Sequence, residues 1–533
     1  MQTYALTVDK FLDHAARWHG LAEIVSTVGS GTRRTTYAQL RERAARLSGG
    51  LLDHGLRLGD RVGTLAWNTE DHLILSYATM GVGLVCHTLN PRLSVAQLAA
   101  IVNEAADRWI AVGEGLQPLL HELLPLCPSV EAVLVLDEER LGQPSAQERD
   151  HWELSSFIER SGRPALWGGF NEESAAGLCY TSGTIGSPRG VLYTHRSNYL
   201  HTLRALQADA VAVTAQDTVL VAVPMFHANG WGFPFLAPAV GARMVLPGRS
   251  VDPAHLRMLI EREGVTVAAA VPTVWLGLVD LLESQGGKLP SLERIIVGGS
   301  HCPDGLMQRI ESGLGVRVQT SWGMTELSPL GTISPPKAPL GGESRASGRP
   351  IMGLDLKLVD EEGVTLPVQR GVVGRLRVRG ASVAERYFGE GQTTVVDPEG
   401  YLDTGDLASI DSDGNLTIAG RVKDLIKSGG EWINPKEIED IVGCLPGVAL
   451  VAVIAREHPK WGERPVLVVE PQRKQALTEQ TVLAALRGKV PDWWLPDLVV
   501  FVEHMPLAAT GKIDKRRLRD NLWTESGQAV PVR

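Results

Sequence analysis

The sequence predicts an α/β protein with two parts. One is a large multi-layered N-terminal domain of parallel-rich sheets plus a β-rich subdomain; the other is a small C-terminal α+β domain. Three observations carry that prediction. The chain has 533 residues, more than one ordinary core accommodates. As far as about Pro350, short apolar runs alternate with helical patterns, as in parallel strands joined by helices. Beyond that point strands follow one another between Asp/Gly turns, and past Asp424 helices and strands mix again.

Taken in order, Val8 to Leu52 reads as helical in two pieces, separated by a turn at Gly29–Arg34. Strands are expected at Val62–Trp67, Ala132–Leu136, Gly177–Tyr180, Val219–Val223, Val265–Val271 and Ile295–Val297. The β-rich part holds Leu354–Val359, Leu376–Arg379 and Asn415–Ile418, set off by turns such as Asp360–Gly363 and Asp413–Gly414. The last part reads as helix Pro435–Leu445, strands Leu450–Ile454 and Val466–Val469, helix Glu479–Lys489 and strand Val499–Val502. The charged turn Gly420–Asp424 separates a domain of residues 1–421 from one of residues 422–533.

Composition excludes several classes. Hydrophobic residues are 44% and charged residues 21%, ordinary for a soluble globular chain. A net charge of -9 argues against a general nucleic-acid binder. The five cysteines are scattered with no CxxC pair, so neither a disulfide framework nor a zinc site is indicated, and a reducing cytoplasm is expected. No signal peptide is evident. Thr218 to Ala242 carries no charged side chain, but Pro224, Pro234 and Pro238 make it a poor membrane helix.

The most telling local feature is Thr181-Ser182-Gly183-Thr184-Ile185-Gly186-Ser187-Pro188-Arg189-Gly190, which follows a buried strand. Glycines let backbone N–H groups approach an anion, hydroxyls donate to phosphate oxygens, and Arg189 neutralises charge. The bland alternative is a solvated turn between strand and helix. No GxxxxGK[ST], GxSxG or HExxH motif occurs.

This loop resembles the signature of the adenylate-forming superfamily of acyl-CoA synthetases, adenylation domains and luciferases. It departs twice: Ile185 stands where threonine is usual, and Arg189 where lysine is usual. Further blocks match in the family's order over nearly the whole chain. The resemblance implies that Thr181, Ser182, Gly183, Thr184 and Arg189 bind the phosphates of ATP. Thr184 and Glu326 would hold Mg²⁺, which prefers hard oxygens. Gln319, Thr320, Ser321, Trp322, Gly323 and Met324 would line the nucleotide, with Trp322 stacked on adenine, and Thr325 would donate to phosphate. Gly298, Gly299, Ser300 and His301 resemble the turn against which adenine and the acyl group lie. Asp406 and Arg421 match the ribose clamp.

Lys512 matches the lysine that bridges substrate carboxylate and α-phosphate, where two anions must meet. Lys423 stands at the family's hinge, about which the small domain is mobile. Ser428, Gly429, Gly430, Glu431 and Trp432 resemble the segment beside the pantetheine tunnel. His227 matches a position beside the carboxylate, and Trp231 and Trp275 are candidates for the acyl pocket wall. Gly63–Asn68, Val85–Leu93 and Val191–Ser197 resemble the branch holding medium-chain fatty acid–CoA ligases and methylmercaptopropionate–CoA ligases.

The function implied is a carboxylic acid–CoA ligase using ATP, Mg²⁺ and coenzyme A. Acyl-adenylate forms with Lys512 engaged, then rotation about Lys423 admits the thiol. The acid would be short- or medium-chain aliphatic, or 3-methylmercaptopropionate. Two alternatives stay open: an adenylating enzyme with another acceptor, and a nucleotide-binding regulatory protein, supported only by Ile185 and Arg189. A homodimer is the expected assembly on base rates alone.

Overall fold

The computed structural model describes residues 1–137, 150–181, 188–337, 346–389, 391, 393–472, 477–508 and 511–522. Among these residues the strands form four sheets. One sheet of seven orders strands Asp150–Glu153, Ala132–Val135, Trp109–Val112, Arg61–Leu65, Val85–Thr88, Ala175–Tyr180 and Gly190–Thr194. All neighbours are parallel except the last pair. A sheet of nine has six parallel strands at its centre, from Arg317–Gly323 through Arg294–Val297, Val267–Ala270, Thr218–Val221 and Arg243–Leu246 to Glu23–Val28. Antiparallel strands close both of its edges.

The central strands are short apolar runs buried along their whole length, such as Trp109–Val112, Val267–Ala270 and Arg294–Val297. That is the pattern of parallel strands covered on both faces. The expected strands from Val62 to Val297 are all present, with ends within a few residues. The first fifty residues differ from expectation. Helices run over Asp9–Trp18 and Tyr37–Asp53, but Glu23–Val28 and Gly31–Thr36 form an antiparallel hairpin between them. Of the expected turn only Gly29 and Ser30 are the hairpin's tip, and Gly31 to Arg34 belong to its second strand; the strands carry Val25, Thr27, Thr35 and Thr36, β-branched residues suited to the pleat. Thr36 then caps the second helix in a reciprocal box with Gln39.

The four-stranded antiparallel sheet follows, over Leu354–Val359, Val373–Gly380, Leu402–Ile410 and Leu416–Arg421. Its third strand, not foreseen, buries every second residue: Leu402, Thr404, Asp406, Ala408 and Ile410. After a single turn at Val422–Asp424 the chain enters a smaller C-terminal domain. Its five-stranded sheet carries two hydrophobic clusters of its own. Ile438, Leu467 and Val469 belong to one, Ile454 and Leu518 to the other.

The charge-free stretch from Thr218 to Ala242 is no continuous helix. It is a strand, a turn and the helix Phe233–Val240. No helix among the described residues is long and apolar enough to cross a membrane.

Candidate active site

In open parallel sheets, ligands lie beyond the carboxyl ends of the strands. Here the corresponding ends of the two large sheets meet. Asn68, just past Arg61–Leu65, donates to the Val221 and Val223 carbonyls at 2.8 and 2.7 Å and accepts from the Met225 N–H at 2.7 Å. The Thr88 hydroxyl donates to Asn229 across the same junction. His227 and Phe226 from one sheet share a cavity wall with Tyr180 and Thr181 from the other.

Thr181 and Arg189 form the neck of the expected phosphate loop. The Thr181 N–H donates to the Arg189 carbonyl at 2.9 Å, and the Arg189 N–H donates to the Thr181 hydroxyl at 3.2 Å. The loop therefore joins two antiparallel strands, not a strand and a helix. Ser182, Gly183, Thr184 and Ile185 lie outside the described residues. The Arg189 guanidinium stands 4.9 Å from the centre of the Tyr387 ring, and the Tyr387 hydroxyl donates to Glu326 at 2.8 Å. Tyr193 donates to the Thr325 carbonyl at 2.7 Å. Loop neck and Glu326 are thus joined through tyrosines to which the sequence reading gave no role.

Sheet register explains how the pair expected to clamp ribose is held. Asp406 lies opposite Arg421 in the antiparallel ladder, and its Oδ1 is 2.6 Å from Arg421 Nε. Trp322 Nε1 donates to Oδ2 at 2.8 Å. Burial pushes the Asp406 carboxyl up; Arg421, the indole N–H, Lys512 and Lys423 pull the other way. Trp322 is 8% exposed and packs in the main core, and a methyl on Gly331 would lie 2.5 Å from its ring. The indole holds Asp406 and offers little free surface for stacking.

Three other expectations look different in three dimensions. Gln319 is buried and its amide is spent: Nε2 donates to the Ala210 and Ser334 carbonyls, and Oε1 accepts from Arg294. The Thr320 hydroxyl donates to the Ala346 carbonyl. Both tie their strand, Arg317–Gly323, to neighbouring loops. Trp275 is 2% exposed in the second hydrophobic cluster, because its helix, Pro272–Gln285, turns that position inward with Leu278 and Leu282. Thr273 of that helix meets the small domain, its hydroxyl donating to the Gly511 carbonyl at 3.3 Å.

Ser321 and Gly298 remain together: the Ser321 hydroxyl donates to the Val297 carbonyl, and a methyl on Gly298 would fall 2.5 Å from that hydroxyl and 3.0 Å from the Trp231 ring. Gly323 is equally confined, against the Pro329 carbonyl, and the next N–H, of Met324, donates to that carbonyl. Ser300 is exposed, and His301 turns to Asp440 of the small domain, 3.1 Å away.

Trp231 sits in an unusual turn. Ala228, Asn229, Gly230, Trp231 and Gly232 all have positive φ, between 38° and 80°. For three non-glycine residues that conformation is costly. His227 precedes it. Burial, then the charges of Lys512 and Arg92, push its imidazole down to about 4, so it is neutral at pH 7.

Lys512 reaches this crevice from the small domain. A methyl on Gly299 would lie 3.7 Å from its Cε. Burial and the Arg421 charge push its ammonium down to about 8; Asp406 and Glu326 favour the charge, and Lys423 opposes it. Lys512, Asp406, Arg421 and Glu326 therefore share one electrostatic neighbourhood. Lys423 lies on the turn between the domains, and its own ammonium is lowered by burial.

Ser428 to Trp432 form a hairpin at the edge of the small sheet. Gly429 and Gly430 have φ of 62° and 94°, and a methyl on Gly429 would lie 3.0 Å from the Trp461 ring. Arg464 donates to the Ser428 hydroxyl at 3.3 Å. Glu431 and Trp432 are exposed, with Lys427 over the Trp432 ring. Asn68, Thr273, Tyr193 and Tyr387 are the residues missed. Asn68 and Tyr193 fell inside blocks of resemblance without a role of their own; isolated polar side chains carry no spacing signal.

Residues 11–388 match the model of the AMP-binding enzyme family, and residues 437–512 that of the AMP-binding enzyme C-terminal domain. The chain is 41% identical to a medium-chain-fatty-acid–CoA ligase of Ectopseudomonas oleovorans, over 98% of this chain and 96% of that one. It is 42% identical to a 3-methylmercaptopropionyl-CoA ligase of Ruegeria lacuscaerulensis, over 98% of each. ATP-bound MatB from Rhodopseudomonas palustris superposes with a TM-score of 0.84 at 25% identity, covering 97% of this chain and 99% of that one. The matches run in order through crevice and small domain alike, so the chain belongs to the AMP-binding enzyme family.

Proposed function

We propose that this chain is an ATP-dependent carboxylic acid–CoA ligase that works through an acyl-adenylate. One observation carries the reading: Lys512 of the small domain is seated against Gly299 of the large one, in a crevice where the charges of Arg421, Asp406 and Glu326 act on it. Carboxylate attack on a phosphate brings two anions together, and a seated ammonium offsets that repulsion. Asp406, held by Arg421 and Trp322, would accept from ribose hydroxyls. Neutral His227 would face the carboxylate without adding charge.

Glu326 fits Mg²⁺, because it offers a hard carboxylate oxygen already oriented by Tyr387. Bound there, the cation would neutralise phosphate charge. The small domain would turn about Lys423, withdraw Lys512 and bring the Gly429–Gly430 hairpin to a pantetheine chain. Trp231 against Gly298 supports a pocket for a short or medium apolar acid, or 3-methylmercaptopropionate. Four of the five cysteines are buried as thiols, which supports a reducing cytoplasm.

The test is pyrophosphate and AMP release from Mg·ATP with acetate, butyrate, hexanoate, octanoate, 3-methylmercaptopropionate and benzoate, with and without CoA. Turnover that needs both acid and CoA, and falls at least about a hundredfold in Lys512→Ala, is expected. ATP binding without release on any acid would instead favour the regulatory reading.

A further inference from the structure

One loop of the large domain makes two separate contacts with the small one. A methyl on Gly299 would lie 3.7 Å from Lys512 Cε. Two residues on, His301 Nε2 is 3.1 Å from Asp440 Oδ1. Asp440 lies on the small-domain helix Pro435–Gly443 and also pairs with Lys436 one turn back. Its neighbour Glu439 is 2.7 Å from Lys515 Nζ, three residues past Lys512. One helix therefore grips the large domain with Asp440 and the lysine segment with Glu439.

We propose that His301 and Asp440 are a positioning pair that holds the small domain where Lys512 is seated, and so favours adenylate formation over acyl transfer. The proposal rests on the two-step reading above, in which Lys512 must withdraw before the thiol attacks. Seating Lys512 is opposed by burial and by Arg421 and Lys423. A contact at the domain edge offsets that opposition without placing more charge beside the phosphates. Burial opposes the charge on Asp440, yet the His301 hydrogen bond and the charges of His301 and Lys436 keep its carboxyl below the usual range. The His301 side chain is 33% exposed and that of Asp440 16%. Water therefore weakens the pair enough for it to break in every cycle.

The test measures the half-reactions apart in Asp440→Ala, His301→Ala and the double variant. The first is acid-dependent ATP–pyrophosphate exchange; the second is CoA acylation from supplied acyl-adenylate. Asp440→Ala should slow exchange about threefold to tenfold and leave transfer unchanged or faster. Asp440→Glu should recover part of the loss, and the double variant should lose no more than the worse single one. Parallel losses in both halves, or losses that multiply in the double variant, overturn the pair. A second readout needs no chemistry: the distance between spin labels at Lys288→Cys and Lys489→Cys, in a Cys444→Ser background. The distribution should broaden in Asp440→Ala, and an unchanged one overturns the proposal. A wild type that exchanges no pyrophosphate would sink the ligase reading, while the label distances would still judge the pair.

Discussion

Lys512 carries a charge that its surroundings resist, and that resistance is measurable. A free lysine titrates at about 10.4, whereas burial brings this one to about 8. The seated side chain is therefore an ammonium below about pH 8 and neutral above it. Since kcat/KM reports groups of the free enzyme, kcat/KM for ATP in pyrophosphate release should fall as pH rises through about 8. Lys512→Arg, whatever its rate, should lose that limb; an unchanged limb would assign it elsewhere. Trp322→Phe tests the other end of the cluster. It removes one donor from the buried Asp406 carboxylate. The expected cost is about 1–3 kcal/mol of stability, read by thermal unfolding, with a raised KM for ATP. Such roles were only half legible in the sequence. The blocks around Trp322 and Asp406 stood out, but that the indole serves the carboxylate depends on a contact between residues 84 positions apart.

Among elements, the strand ends decide the geometry. Asn68 fastens the ends of two sheets with three hydrogen bonds, and it is 4% exposed. Asn68→Leu should cost about 2–4 kcal/mol, because two carbonyls and one N–H lose their partner in the interior. Activity should fall further than stability explains, since Pro224–His227 hangs from that anchor; a fully stable, fully active variant would contradict this. Continuous apolar runs made the central strands readable, as period and burial agree there. The hairpin Glu23–Thr36 was not, because Gly31 to Thr36 is polar and half of it exposed, and it offers no apolar stripe. The strand Leu402–Ile410 escaped for a related reason: its inward positions include Thr404 and Asp406, which local pattern counts as polar.

At the scale of the whole molecule, the chain has separate interiors. The clusters around Ile438 and Ile454 belong to the small domain alone. Independent cores unfold independently unless something joins them. Calorimetry should therefore show more than one transition, with the small domain melting first because its core is smaller. Mg·ATP with an accepted acid should raise that first transition most, since Lys512 then has a ligand to hold; saturation at about a hundred times Kd is worth about 2.7 kcal/mol. A single transition insensitive to ligand would mean that the domains do not act separately. The sequence places its expected boundary at Gly420–Asp424, where the texture changes. The contact of His301 with Asp440 was not legible, since it crosses between two domains with no shared pattern.

The left-handed turn of Ala228 to Gly232 has a consequence for anyone reshaping the proposed acid pocket. Trp231 is the obvious position to vary, and its φ is 54°. The backbone there vets candidates before the pocket does. Glycine and asparagine enter easily, whereas valine, isoleucine and threonine would add about 1–2 kcal/mol of strain. A library at this position thus has a short alphabet, and hits drawn from it would owe their new preferences to lost bulk more often than to new shape.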